Sequence, residues 1–165
     1  MKTCFLPLLL FILLSACSPV TKLLKEHKYL AAFDEATERL KSNPDNRKAQ
    51  QNLQQVYSAT QACFQTELSQ IQSGSDSLKW LKTFDLMQQS NEVANKIQAN
   101  PQALMVIPDS RTYTTELEDA KSKAVDEMIS RGKFLMNQNS QAKARDAYFL
   151  FAKAQTLSPS LKDIH

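Results

Sequence analysis

The stretch from Arg47 to Ser73 contains neither glycine nor proline, and its apolar side chains recur every three or four residues. That spacing is typical of one face of an α-helix. The members of this apolar stripe are Ala49, Leu53, Val56, Tyr57, Thr60, Phe64, Leu68 and Ile71. A helix of about 26 residues is roughly 39 Å long. Its apolar stripe is buried only when other elements pack along it. The stretch therefore favours an all-α fold.

A second long apolar stripe follows the short turn Ser73-Gly74-Ser75-Asp76, and it ends at Asn100-Pro101. Its members are Leu78, Trp80, Leu81, Phe84, Met87, Ala94 and Ile97. Two long helices joined by a short turn usually pack side by side and run in opposite directions. We therefore expect one long antiparallel hairpin.

Four shorter helices are predicted around this hairpin, covering about 19–25 and 28–42 and beginning near 115 and 141. Thr115 and Glu118 have the spacing of a capping box, and Gly132 would let another helix approach closely. The whole chain has only two glycines, which disfavours a β-sandwich with its many tight turns. The expected fold is thus all-α with about six helices.

The last predicted helix presents an apolar face of Ala147, Phe151 and Ala154. The preceding helix can cover only one side of that face. Three alternatives remain open, because the long hairpin could fold over the other side, a partner could cover it, or the natural chain could be longer. Repeat arrays usually end in a polar capping helix, so we expect a missing or partner-supplied cap.

Prolines bound a short apolar segment, Pro101 to Pro108, whose central residues run from Ala103 to Ile107. The segment is too short for a long helix and lacks the alternation of a strand. We expect a buried crossover loop with at most one helical turn. The alternative is an exposed hydrophobic loop that contacts a membrane or a partner.

The N-terminus combines Lys2, an uncharged run from Cys4 to Leu14, and the step Leu14-Ser15-Ala16-Cys17. About ten apolar residues is half of the roughly 20 that a membrane-spanning helix needs, and it suits the apolar region of a secretory signal peptide. The alternative to a lipoprotein signal is an ordinary signal peptide with an incidental cysteine.

The same step resembles the lipobox of bacterial lipoproteins. That resemblance implies cleavage between Ala16 and Cys17 and lipid attachment at Cys17. It divides the chain into a signal peptide, 1–16, and one helical domain, 17–165. In many Gram-negative bacteria an aspartate after the cysteine retains the protein at the inner membrane, but here the residue is Ser18. The resemblance thus implies the outer membrane, with the domain facing the periplasm and surface exposure left open.

The composition excludes several classes of function. Removal of 1–16 takes away one charged residue, Lys2, so the formal charge falls from +3 to +2, and a nearly neutral chain gives no reason to expect nucleic acid. Acylation of Cys17 would leave Cys63 as the one remaining thiol, which excludes an internal disulfide. We expect Cys63 to be a small buried hydrophobe.

Residues that could carry chemistry are few. The two histidines, His27 and His165, have no ligand set at metal-binding spacing, so we expect no metal and no cofactor. No nucleotide-binding or nucleophile motif is present, and we predict no enzyme. The acidic pair Asp126-Glu127 is interpreted as part of a solvated helix face. Trp80 could stack on a ligand, but its neighbours favour a place at the edge of the hairpin.

Two segments resemble helix B of a tetratricopeptide repeat. The first places Tyr29, Ala32, Phe33, Ala36 and Leu40 before Asn43-Pro44, and the second places Ala144, Ala147, Phe151, Ala154 and Leu157 before Pro159. In such repeats small residues let two helices nest, and stacked pairs leave a groove for a protein partner. The repeat register breaks near 59–62, where the expected turn has no glycine.

A longer pattern is similar to a group of uncharacterised tetratricopeptide-like lipoproteins of Gram-negative bacteria. Its elements are Ile107-Pro108-Asp109-Ser110, Tyr113, Ala144-Arg145, Ala147-Tyr148, Phe151 and Pro159 followed by Lys162-Asp163. Chains of that group usually continue past the last motif, so the resemblance leaves open that this chain is incomplete at its C-terminus.

The predicted function follows from these resemblances. We expect a membrane-anchored lipoprotein that acts as a helical protein–protein interaction module or assembly factor in the cell envelope, with no small-molecule substrate. The identity of the protein partner is left open by the sequence. The alternative is a structural or stress-related envelope lipoprotein without a defined binding groove.

Overall fold

The structure, a computed structural model, describes residues 19–26 and 28–159. The predicted signal peptide, the predicted lipid-attachment residue Cys17 and both histidines lie outside the described residues. The described part contains seven helices and no strand. These are α1 (Pro19–Lys25), α2 (Tyr29–Ser42), α3 (Arg47–Ser73), α4 (Lys79–Gln98), α5 (Pro101–Val106), α6 (Thr115–Met136) and α7 (Gln141–Leu157). The predicted all-α class is confirmed.

Local sequence explains where α3 and α5 begin. Asn46 accepts hydrogen bonds through its Oδ1 atom from the backbone N–H groups of Lys48 and Ala49, at 2.9 and 3.2 Å, and so caps α3. Asn100 caps α5 in the same way, because its Oδ1 atom accepts a hydrogen bond from the backbone N–H of Ala103 at 3.0 Å. Pro101 lies in the first turn of this helix. The predicted capping box of α6 does not form, since Thr115 is already helical and Thr114 precedes it without a side-chain cap.

The chain divides into two compact units. Of the described residues, unit 1 comprises 19–26, 28–67 and 89–112, and unit 2 comprises 68–88 and 113–159. The helices α3 and α4 each contribute to both units, because the division falls within them.

Unit 1 is held by an apolar core, an aromatic contact and two polar contacts. Its fully buried large side chains are Phe33, Leu40, Leu53, Phe64, Val93 and Ile97. The rings of Tyr29 and Phe64 meet edge to face with centroids 5.3 Å apart, a favourable geometry for aromatic pairs. The Lys96 ammonium group lies 2.6 Å from the Asp34 carboxylate and joins α4 to α2. The backbone N–H of Arg111 donates to the Tyr57 hydroxyl at 2.8 Å.

The segment around α5 matches its prediction in part. The predicted loop allowed one helical turn, and the structure has a six-residue helix there, which accounts for the seventh helix. Ala103 and Ile107 are buried, as expected, but Leu104 and Met105 are exposed, Met105 by 76%. One helical turn cannot bury all of its sides against one neighbour, so the segment is only half covered.

Unit 2 is built around a cluster of buried apolar side chains from α4 and α6 with contributions from α7 and the chain before α6. Its members are Leu81, Phe84, Met87, Tyr113, Ala120, Ala124, Val125, Met128 and Ala154. Leu68 at the end of α3 and Leu150 and Leu157 of α7 pack against this cluster. The Lys153 ammonium group of α7 lies 3.2 Å from the Asp85 carboxylate of α4.

The expectation of an uncovered face on α7 is wrong within unit 2. Ala147 and Ala154 are fully buried, and Phe151 is half-buried. The helix α4 supplies the second cover through the apolar cluster and the Asp85–Lys153 pair. The sequence suggested one covering helix because α6 is the chain neighbour of α7, whereas α4 reaches it from a distant part of the chain.

Candidate interaction site

The sequence-predicted site residues do not come together in the described part of the chain. Ala16 and Cys17, the predicted cleavage and lipid-attachment residues, lie outside it, so that assignment stays a prediction. Among the described residues, no group of three or more His, Cys, Asp or Glu side chains could hold a metal ion. No helix in the same range combines the length and apolarity needed to cross a bilayer.

A polar contact in unit 1 involves Tyr29, Glu67 and Cys63. The Tyr29 hydroxyl donates to Oε1 of Glu67 at 3.0 Å. Burial raises the pKa of Tyr29 well above its usual value, and the neighbouring Cys63 and Glu67 raise it further. A tyrosine that holds its proton this firmly acts as a hydrogen-bond donor between α2 and α3. Cys63 is half-buried, which only partly matches the buried position expected for it.

The start of α4 in unit 2 is organised by a carboxylate from α6. Oε2 of Glu127 accepts hydrogen bonds from the backbone N–H groups of Trp80 and Leu81, at 2.9 and 3.2 Å. A carboxylate at a helix N-terminus accepts hydrogen bonds from amides that have no partner within the helix, and its negative charge interacts favourably with the helix dipole. The sequence analysis interpreted Asp126 and Glu127 together as part of a solvated helix face. Asp126 is exposed, but that interpretation is wrong for the Glu127 carboxylate.

The turn before α4 carries its own carboxylate. Asp76 accepts the backbone N–H of Leu78 at 2.9 Å through Oδ1, and its Oδ2 atom pairs with the ammonium group of Lys82. The pKa of Asp76 is lowered most by the hydrogen bond from Lys82, and the hydrogen bond from the Leu78 amide lowers it further. Lys82 is thus engaged in an ion pair with Asp76, whereas the neighbouring Lys79 forms no ion pair within the described residues and lies next to Trp80.

Two lysines lie near the Trp80 ring. The Lys123 ammonium group of α6 is 4.2 Å from the ring centroid, and that of Lys79 is 5.8 Å away. Both distances fall within the range of a cation–π attraction. Trp80 is half-buried and packs against the apolar cluster, which fits the predicted place at the edge of the hairpin. Its indole is therefore held in position from two helices.

A cleft of about 320 Å³ opens beside this tryptophan, and we call it the Trp80 cleft. Its lining residues are Gln72, Lys79, Trp80 and Thr83. The Thr83 side chain is only 1% exposed, and its hydroxyl has no hydrogen-bond partner within the described residues. Buried polar groups in folded proteins nearly always have a partner.

The chemistry of the Trp80 cleft is that of a hydrogen-bond donor site. Lys79 provides an ammonium group and Gln72 a side-chain amide at the surface of the cleft, the Thr83 hydroxyl lies buried beneath it, and none of the lining side chains is a carboxylate. Trp80 adds apolar surface. Such a cleft suits a carboxylate or carbonyl oxygen attached to an apolar group.

Sequence reasoning identified Trp80 but missed Thr83 and Glu127. Thr83 lies one position before Phe84 in a stripe that otherwise predicts core, so a threonine there gave no separate signal. Glu127 is distant in sequence from the helix that it caps, and no local pattern marks such a contact.

No protein-family model matches this chain, and neither the curated proteins nor the solved structures give a match.

Proposed function

We propose that this chain is a membrane-anchored lipoprotein, attached through lipid on Cys17, that acts as a helical protein–protein interaction module in the cell envelope. In this proposal the Trp80 cleft receives a segment of the partner protein that carries a carboxylate or carbonyl acceptor beside an apolar side chain. The envelope location rests on the lipobox resemblance at Leu14-Ser15-Ala16-Cys17.

The observation that carries the docking proposal is the buried Thr83 hydroxyl in a cleft lined by a tryptophan. A buried polar group without a partner costs about 1–3 kcal/mol. In this proposal docking moves the side chains that cover this hydroxyl, so that an acceptor from the partner reaches it and removes that cost in the complex alone. Tryptophan is also among the residues that most often dominate the energy of protein interfaces.

The way α6 packs on α7 supports a tetratricopeptide-like helix pair. A Cβ atom placed on Gly132 would lie 2.4 Å from Cε1 of Phe151, so the absence of a side chain at Gly132 makes room for that ring. Buried small residues also lie elsewhere on both helices, at Ala120 and Ala124 of α6 and at Ala147 of α7. Nesting through small residues is the property on which the resemblance to such repeats rests.

The test is site-specific photo-crosslinking in the native membrane. A photo-reactive residue at Lys79 should capture a defined protein, whereas one at the exposed Lys48 of α3 should not. Thr83→Val, which keeps the volume and removes the hydroxyl, should reduce the crosslink at position 79. The same change should not lower the stability of the isolated chain, because it removes a buried group that has no partner there.

Equal capture at positions 79 and 48, or capture that Trp80→Ala and Thr83→Val leave unchanged, would contradict docking at the Trp80 cleft. That result would favour the alternative of a structural or stress-related envelope lipoprotein without a defined groove.

A further inference from the structure

Exposed large apolar side chains are concentrated at one end of the α6–α7 helix pair. The described chain has six of them, and four lie between residues 134 and 149. These four are Phe134, Met136, Tyr148 and Phe149, and the last two are exposed by 67% and 62%. The rings of Tyr148 and Phe149 contact each other edge to face, with centroids 5.9 Å apart. The aromatic pair therefore stands in solvent as one apolar projection.

This projection is separate from the core-facing side of α7. Ala147 and Ala154 are fully buried against unit 2. Since successive residues turn by about 100° around a helix, Tyr148 and Phe149 point away from the side that Ala147 occupies. Core packing therefore does not account for either ring.

The same end of the pair carries only positive charge over a long stretch. From Arg131 to Arg145 the sequence contains four basic residues and no acidic one. The first acidic residue that follows is Asp146, which lies 3.9 Å from the Lys143 ammonium group. Neither Lys133 nor Arg145 forms an ion pair within the described part of the chain. We call residues 131–149 the basic–aromatic end.

Local geometry brings the two halves of the basic–aromatic end together. Asn139 adopts a left-handed backbone conformation, with φ of 46°, in the short connection between α6 and α7, and asparagine tolerates that conformation better than most residues. The Arg131 guanidinium lies 5.0 Å from the Phe134 ring centroid. A cation and an aromatic ring are thus adjacent near the end of α6, and the aromatic pair follows in α7.

We propose that the basic–aromatic end rests on an anionic lipid bilayer. Amphipathic aromatic side chains partition to the level of the lipid headgroups, and basic side chains are attracted to negatively charged headgroups. A second copy of the chain is a poor occupant, because a symmetric contact would bring two positively charged surfaces together. This inference requires neither the lipid on Cys17 nor the Trp80 cleft.

The test is co-flotation with lipid vesicles of the chain from residue 17 onward carrying Cys17→Ser, which retains every described residue. The protein should float with vesicles of phosphatidylcholine and phosphatidylglycerol and not with phosphatidylcholine alone. The double variant Lys133→Gln/Arg145→Gln should weaken binding about five-fold for each charge and roughly 30-fold in total. The variant Tyr148→Ser/Phe149→Ser should weaken it by about ten-fold or more.

Matched controls use exposed residues of unit 1. Arg47→Gln/Lys48→Gln removes the same number of charges, and Met105→Ser removes an exposed apolar side chain, so both should bind as the parent chain does. Trp80→Ala should also float unchanged, which separates this inference from the proposed docking at the Trp80 cleft. Circular dichroism on each variant reports whether the helices are retained.

Binding that is absent, that does not depend on phosphatidylglycerol, or that the control variants lose equally would overturn the proposal. Self-association of the chain that Tyr148→Ser/Phe149→Ser abolishes, without vesicle binding, would assign the aromatic pair to a contact between copies and would also overturn it.

Discussion

The contact between Gly132 and Phe151 shows how one residue fixes the spacing of two helices. Gly132 lies within α6, four residues before its end, and glycine inside a helix costs about 1 kcal/mol relative to alanine. The Phe151 ring occupies the space that a Cβ atom on Gly132 would need, with Cε1 at 2.4 Å and Cζ at 2.7 Å from it. The glycine is thus required by the neighbouring helix and not by its own backbone.

We predict that Gly132→Ala destabilises the protein by about 1 kcal/mol. Overpacking costs about 1–3 kcal/mol, and the gain in helix propensity offsets only part of it. Urea unfolding followed by circular dichroism measures the difference. In a Phe151→Ala background the same substitution should become stabilising, because the ring is gone. A destabilisation of equal size in both backgrounds would show that the ring is not the cause.

Tyr29 gives a second prediction at this scale, through its proton. Burial beside Glu67 and Cys63 raises the pKa of Tyr29 in the folded state. Above about pH 10, where an unfolded tyrosine ionises, the unfolded chain loses this proton while the folded chain keeps it. The free energy of unfolding should therefore fall as the pH rises past that point, by at most about 1.4 kcal/mol per pH unit from this residue.

Tyr29→Phe isolates that effect, since it removes the proton and keeps the ring. The stability of the parent chain relative to the variant should be constant below about pH 10 and should decline above it. Urea unfolding at a series of alkaline pH values gives both curves. Parallel curves would show that Tyr29 titrates in the folded state as it does in the unfolded chain.

At the scale of helices, the contact between Glu127 and the start of α4 connects elements that are distant in sequence. One carboxylate oxygen satisfies two backbone amides of α4. We predict that Glu127→Ala lowers the free energy of unfolding by about 1–2 kcal/mol, because both amides lose their partner. Glu127→Gln should lose less, since the amide oxygen can still accept.

The matched control for this prediction is Asp126→Ala, the exposed neighbour on the same helix. It should change stability by less than about 0.5 kcal/mol. Thermal or urea unfolding compares the three variants. An equal effect of the two alanine substitutions would mean that the loss comes from α6 itself and not from the cap of α4.

Helix positions were predictable because their signals are local. Pro19, Asn46 and Gly74 mark ends that the structure places within a residue or two of the expected positions. What depends on distant contacts was not predictable. The cover that α4 gives to α7 and the cap that Glu127 supplies both involve partners that no local pattern indicates. Trp80 was recognised as a candidate, but the hydroxyl of Thr83 beside it was not.

At the scale of the whole molecule, the distribution of charge and apolar surface matters more than the small net charge of +3. The basic–aromatic end contains four basic residues and one acidic residue, Asp146. Near the N-terminus, by contrast, Glu26 pairs with Lys28 at 2.8 Å and lies 3.9 Å from Lys22. The hydrogen bond from Lys28 lowers the pKa of Glu26. Attraction to an anionic bilayer is therefore expected from residues 131–149 more than from α1.

The last prediction concerns the attachment of the whole molecule to the membrane. If Cys17 is acylated, a single residue, Ser18, separates the lipid from α1, which begins at Pro19. In cells of a Gram-negative host, the parent chain should incorporate labelled fatty acid and fractionate with the outer membrane. Cys17→Ala should block lipid incorporation and processing of the signal peptide, because the thiol that accepts the diacylglyceryl group is gone.

The control is Cys63→Ala, which removes the other thiol of the predicted mature chain and should be labelled and sorted as the parent is. Labelling that persists in Cys17→Ala would refute the lipobox assignment, whereas labelling with recovery in the inner membrane would refute only the sorting inferred from Ser18.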